Sequence, residues 1–168
     1  MNSGKYVSLS RRFVEIHSAD FDDEPDSIWA SLATRETGKT WKEILTNDVS
    51  ILLGTAGSGK TTEIRQHVKR LVEEGQDAFL MRLEALQDGA LASSFDFELD
   101  DQGDRFEKWK RSRKGGYLFF DALDEARLPS SRNESALEKA LDTVSREVGR
   151  RRGPLYVLVT SRPSEWLG

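Results

Sequence analysis

Residues 54–61 read Gly54-Thr55-Ala56-Gly57-Ser58-Gly59-Lys60-Thr61, a full match to the pattern G-x-x-x-x-G-K-[ST]. Glycines at this spacing let the backbone fold into a nest whose N–H groups converge on phosphate oxygens. A helix that opens at the lysine adds the partial positive charge of its N-terminus. The lysine of such a loop reaches the β- and γ-phosphates, and the following hydroxyl ligates Mg²⁺. The expected phosphate-binding set is Gly54, Thr55, Ala56, Gly57, Ser58, Gly59, Lys60, Thr61 and Thr62, with Thr61 also a metal ligand.

Such a loop needs acidic partners. Asp121 directly follows the apolar run Tyr117-Leu118-Phe119-Phe120. A carboxylate at the C-terminal tip of a buried strand lies where ligands bind in open α/β sheets, so Asp121 is the expected second Mg²⁺ partner. Asp124 and Glu125 come next. One of them is expected to orient and deprotonate the attacking water, Glu125 as first choice and Asp124 as second. Further on, Leu155–Val159 leads into Thr160-Ser161-Arg162-Pro163. Arg162 at that edge can bind the γ-phosphate and report its presence, while Thr160 or Ser161 can hydrogen-bond the water or the phosphate. Each position has a plainer reading: a helix cap, a solvated turn, a surface arginine before a proline. Their joint occurrence downstream of one phosphate loop favours the chemical reading.

The elements that must position these residues are readable as an alternation. Strands are expected at 49–53, 78–83, 117–120 and 155–159. Helices are expected at 60–74, 103–114 and 134–148, where apolar residues recur every three or four positions. Residues 84–102 are ambiguous; Leu83, Leu86 and Leu91 fit one short helix before an acidic loop. Continuous apolar strands separated by helices predict an α/β fold, a three-layer phosphate-loop NTPase core with a central parallel sheet covered on both faces. Residues 1–47 read as a lead-in to this core, which spans 48–168. Within the lead-in, Asp26 or Ser27 can cap one short helix and Thr40 another carrying Trp41, Ile44 and Leu45. These apolar residues are expected to pack against the core.

GTAGSGKT, then YLFFDALDEA, then LYVLVTSRP together resemble the NACHT class of STAND signalling NTPases, relatives of the AAA+ ATPases. In ordinary AAA+ proteins a glutamate directly follows the Mg²⁺ aspartate. Here Ala122 takes that place, and the acids stand three and four positions after Asp121. The segment Trp41-Lys42-Glu43-Ile44-Leu45 also looks like the lead-in of large bacterial NACHT-like proteins. The likeness runs over about residues 27–167. It implies binding and slow hydrolysis of Mg²⁺–ATP or another nucleoside triphosphate. It also implies a switch between a closed resting form and an oligomeric signalling form, in bacteria often in antiphage defence. The implied partners are the nucleotide and a second copy or a further domain of a longer protein. Family members continue into a fifth strand, a helical region and a winged-helix domain. This chain is therefore expected to be truncated after the fourth strand, a fragment of something longer.

Composition bounds the alternatives. The 168 residues carry a formal net charge of −4 and no cysteine, which excludes disulfides and thiolate chemistry. The pI is about 5.3 and the mean hydropathy −0.58, so no global basic field points to nucleic acid. The N-terminus has no apolar h-region and no apolar run exceeds five residues, so a cytoplasmic protein without a membrane span is expected. The basic residues around Trp109 (Arg105, Lys108, Lys110, Arg111, Arg113, Lys114) read as a solvated helix face. Arg150-Arg151-Arg152 reads as a complement to the C-terminal dipole of the helix before it. His17 and His67 lack partners at metal-ligand spacing. Two other functions compete with the switch: an AAA+-like motor or loader acting on nucleic acid, and a catalytically inactive nucleotide-binding module. No N-K-x-D motif supports guanine preference.

Overall fold

The computed structural model describes residues 11–16, 38–55, 57–88, 91–121 and 133–162. The helix expected after Asp26 lies outside these, as do Ala56, Asp124 and Glu125. Contacts divide the chain into two compact units, 1–46 and 47–168.

In the first unit, Phe13 and Lys39 exchange backbone hydrogen bonds of 2.8 and 2.7 Å. The Phe13 ring meets Trp41 edge-on at 4.9 Å. Helix α1, Trp41–Ile44, begins with a capping box: Thr40 caps the Glu43 N–H, and the Glu43 carboxylate reaches back to the Thr40 N–H at 2.7 Å. The Thr40 hydrogen bonds hold the Glu43 carboxyl below its usual pKa.

The second unit is built on four parallel strands: β1 (Val49–Leu53), β2 (Ala78–Arg82), β3 (Gly116–Asp121) and β4 (Leu155–Ser161). Their spatial order is β1-β4-β3-β2. Phe79, Leu80 and Met81 are fully buried in succession, as are Leu118, Phe119 and Phe120. Burial on both faces is why these strands read as unbroken apolar runs.

The order sets the helices their task. β1 and β2 are opposite edges, so α2 (Lys60–Glu73) must cross the whole sheet. It buries Ile64, Val68 and Leu71, and His67 stands edge-on to Phe119. The other face carries α3 (Gln102–Ser112) and α4 (Asn133–Val148). Their Phe106, Trp109, Val144 and Val148 join Phe79, Met81, Leu118, Phe120, Val157 and Val159 in one core. Within it, Phe79, Phe95, Phe106 and Trp109 form a chain of ring contacts at 5.2–6.3 Å, each contributing about 1 kcal/mol beyond the area it buries.

Where one short helix was expected, Leu83–Asp88 and Leu91–Ser94 each form a tight 3₁₀ turn. Three-residue turns place Leu83, Leu86 and Leu91 in the core without the length an α-helix needs. The segment that follows closes the outer edge of β2. Phe95 bridges Met81, and the Asp96 N–H donates to the Leu80 carbonyl at 2.9 Å. The buried Gln102 amide accepts from the Leu80 N–H at 2.7 Å and donates to the Leu80 and Asp96 carbonyls. Arg105 donates to the Ala78 carbonyl at 2.9 Å. A strand edge that would otherwise template foreign pairing is thus occupied by side chains. Among the described residues, no helix is long and apolar enough to cross a membrane.

Candidate phosphate and metal site

The loop from Gly54 to Gly59 joins β1 to α2. Gly57 has φ of 67° and Gly59 of 80°, a left-handed conformation that side chains disfavour. This makes the chain turn sharply from strand to helix. Gly59 is the N-cap residue of α2 and supplies no side-chain cap. The first turn of α2 therefore has no side-chain cap from this residue, and its backbone amides and the helix dipole favour negative charge there. A Cβ on Gly54 would stand 3.0 Å from Lys60 Cδ and 3.3 Å from Ser58 Oγ. The Lys60 side chain folds over the loop, where its ammonium donates to the Gly54 carbonyl and, at 2.8 Å, to the Thr55 carbonyl.

The insertion of β4 between β1 and β3 brings three strands to one point. Thr61 Oγ1 donates to Asp121 Oδ2 at 2.6 Å. Thr160 Oγ1 donates to Asp121 Oδ1 at 2.7 Å. Asp121 is the last residue of β3 and 9% exposed, so both carboxylate oxygens are held by hydroxyls at the strand tip. Thr160 is fully buried. Its hydroxyl donates to Asp121 and so positions the carboxylate at the strand tip. Ser161 closes β4, and its carbonyl accepts from the Gly54 N–H at 3.1 Å. Arg162, the next residue and partly buried, therefore follows directly on the contact with Gly54 at the start of the β1–α2 loop. Thr55 is exposed, Ser58 partly buried and Thr62 exposed on the first turn of α2.

One further residue reaches this edge and was not singled out from the sequence. Arg65 lies one turn beyond Thr61 on α2, a spacing that puts both on one helix face. It makes three hydrogen bonds to the buried Asp96, the shortest 2.8 Å, and pairs with Glu98 at 3.0 Å. Burial works against the Arg65 charge, but the Asp96 hydrogen bonds and carboxylate outweigh it and raise its pKa. Asp121 contributes to the same field. On the neighbouring strand Arg82 is the register partner of Asp121, and its guanidinium covers the Phe97 ring at 5.1 Å.

Among the described residues, no three His, Cys, Asp or Glu side chains converge as a metal cage. The oxygen pair of Thr61 and Asp121 fits a different arrangement. Mg²⁺ prefers hard oxygens and is commonly held by one or two protein ligands, with phosphate and water completing the octahedron. Compared with protein-family models, with curated proteins and with solved structures, the chain matches none.

Proposed function

We propose that this chain binds a Mg²⁺–nucleoside triphosphate, ATP by preference, at Gly54–Thr61 and hydrolyses it slowly as a signalling switch of the NACHT type. The observation that carries this reading is the meeting of Thr61 and Asp121 at 2.6 Å across residues 60 positions apart. A Gly-rich turn with no ligand to hold has no need of a buried strand-tip carboxylate against its first helical hydroxyl.

The residues have separable duties. The loop amides and the α2 N-terminus bind phosphate oxygens. Lys60 moves its ammonium from two neutral carbonyls to an anionic acceptor, an exchange favoured because charge-assisted hydrogen bonds are about twice as strong as neutral ones. Thr61 and Asp121 would hold Mg²⁺, with Thr160 fixing the carboxylate. Bound there, the metal supplies charge neutralisation on the phosphate oxygens. Glu125 takes the proton of the attacking water, with Asp124 as the alternative, and Arg162 contacts the γ-phosphate.

Calorimetric titration with Mg²⁺–ATP tests the binding step. Lys60→Ala should weaken it about 30- to 150-fold, the loss of about 2–3 kcal/mol in charge-assisted contact. Equal affinity of the two proteins would sink the reading. Glu125→Gln should keep binding and slow phosphate release; unchanged turnover moves the role to Asp124. Binding without any turnover in the unaltered chain would make it an inactive nucleotide-binding module.

A further inference from the structure

Two basic runs far apart in the sequence meet in the structure. The Arg152 N–H donates to the Arg113 carbonyl at 2.9 Å. Arg151 donates to the Trp109 and Lys110 carbonyls at 3.0 and 3.1 Å, and its guanidinium lies 4.0 Å from the centroid of the Trp109 ring. The Gly116 N–H donates to the Pro154 carbonyl at 3.0 Å, where a side chain on Gly115 would not fit. The loops entering β3 and β4 are thereby locked into one surface. That surface lies at the N-terminal edge of the sheet, about 20 Å from the phosphate loop at the other edge.

The cations of the two runs have different fates. Arg105 is spent on the Ala78 carbonyl, Lys110 pairs with Glu107 at 2.6 Å, and Arg151 joins the loops. Asp77, at the same edge, acts on Arg105 and Arg151. Arg111, Arg113, Lys114, Arg150 and Arg152 are exposed, and among the described residues no carboxylate forms an ion pair with any of them. Five cations with no ion pair among the described residues thus gather in a chain whose formal net charge is −4.

We propose that this surface binds the phosphodiester backbone of double-helical nucleic acid without reading its sequence. Four of the five cations are arginines, whose planar fork suits phosphate oxygens. A single strand would require open stacking rings, yet Trp109 is 2% exposed and covered by Arg151, and the partly exposed Tyr117 and Tyr156 at this edge stack on each other at 5.0 Å. A lipid surface would call for apolar side chains beside the charge. The large hydrophobics exposed among the described residues, Val49 and Phe97, stand outside these loops. Contacts of this kind fix position on a duplex and carry no base information. The inference stands apart from the nucleotide site and does not fail with it.

Fluorescence anisotropy with a labelled duplex of about 20 base pairs tests it across a salt series. Five phosphate contacts give a slope of log affinity against log salt of about −4.5, roughly 500-fold between 50 and 200 mM. The combined variant Arg111→Gln, Lys114→Gln, Arg152→Gln should reduce that slope by about 2.7 while nucleotide affinity and thermal midpoint stay unchanged. Should the triple variant lose its fold, Arg150→Gln alone should remove about 0.9 of slope. An unchanged slope in the folded variant overturns the proposal, as does no binding at 50 mM. Tighter binding to a single strand of equal length, or to phosphatidylserine vesicles that the duplex cannot displace, also overturns it.

Discussion

Thr61 Oγ1 and Asp121 Oδ2 stand 2.6 Å apart, one on the first turn of α2 and the other at the tip of β3. The strand that leads into α2, β1, does not neighbour β3 in the sheet, because β4 runs between them. The hydrogen bond therefore spans an intervening strand, and Thr160 on that strand donates to the second carboxylate oxygen.

Asp121→Asn keeps the size of the side chain and removes its charge. The nucleotide affinity of this variant should lose its Mg²⁺ dependence, while affinity in EDTA stays near that of the unaltered chain. Paired titrations with and without Mg²⁺ read the difference. A variant that still gains affinity with Mg²⁺ would place the metal partner elsewhere.

Two glycines should respond in opposite directions. Gly59 has φ of 80°, so Gly59→Ala should cost about 1–2 kcal/mol and impair phosphate binding. Gly103 lies inside α3, and a Cβ there meets nothing within 4 Å. Gly103→Ala should stabilise by about 0.5–1 kcal/mol. Urea denaturation of both variants gives the two signs.

Arg151→Met removes two hydrogen bonds to helix carbonyls and the contact with the Trp109 ring. A loss of about 2 kcal/mol is expected. Trp109 loses its cover, so the emission of the folded variant should shift to the red. An unshifted spectrum with unchanged stability would show that Arg151 does not bind the two loops together.

His67 makes stability depend on pH. Burial, aided by Arg70, lowers its pKa to about 4 from 6.5, so the fold holds the ring neutral. Above pH 6.5 the folded and unfolded chains are both neutral at this residue, and its contribution to stability is complete. As pH falls from there toward 4 the unfolded chain takes up the proton first, and stability declines. With the ring partly open to solvent, about 1–2 kcal/mol should be lost between pH 7 and pH 4.5. Denaturation curves of the unaltered chain and of His67→Leu, taken at both pH values, isolate this share. Parallel pH dependence in the two proteins would assign it to other groups.

Much of the architecture is local and therefore legible. β1 and the starts of β2 and β4 fall where the apolar runs place them, because strands buried on both faces have no polar alternation to disguise them. Phe106 and Trp109 turn inward as their spacing requires. β3 and β4 extend further than expected, to Asp121 and Ser161. The polar tips of those strands look like loop in the sequence but are paired in the sheet. Pairings between distant residues left no local signal. The strand order, the sealing of β2 by Gln102 and Arg105, and the duty of Thr160 all belong to this kind. Arg151 illustrates the limit well. The sequence placed it beside the C-terminal dipole of the preceding helix, but its hydrogen bonds go to carbonyls of the distant α3.

The placement of β1 and β2 at opposite edges of the sheet has a consequence for how the chain reaches its native state. The four strands offer no hairpin: β2, β3 and β4 pair in sequence through crossovers, while β1 pairs only with β4, the last of them. Loop-closure entropy must be overcome before any of these contacts rewards it, which slows folding and makes it cooperative. Thr61, Thr160 and Asp121 come together only when β4 has docked between β3 and the β1 strand that leads into α2. A chain stalled part-way therefore has no assembled Thr61–Asp121 pair, and the Mg²⁺–nucleotide proposed to bind there would draw the population toward the completed sheet.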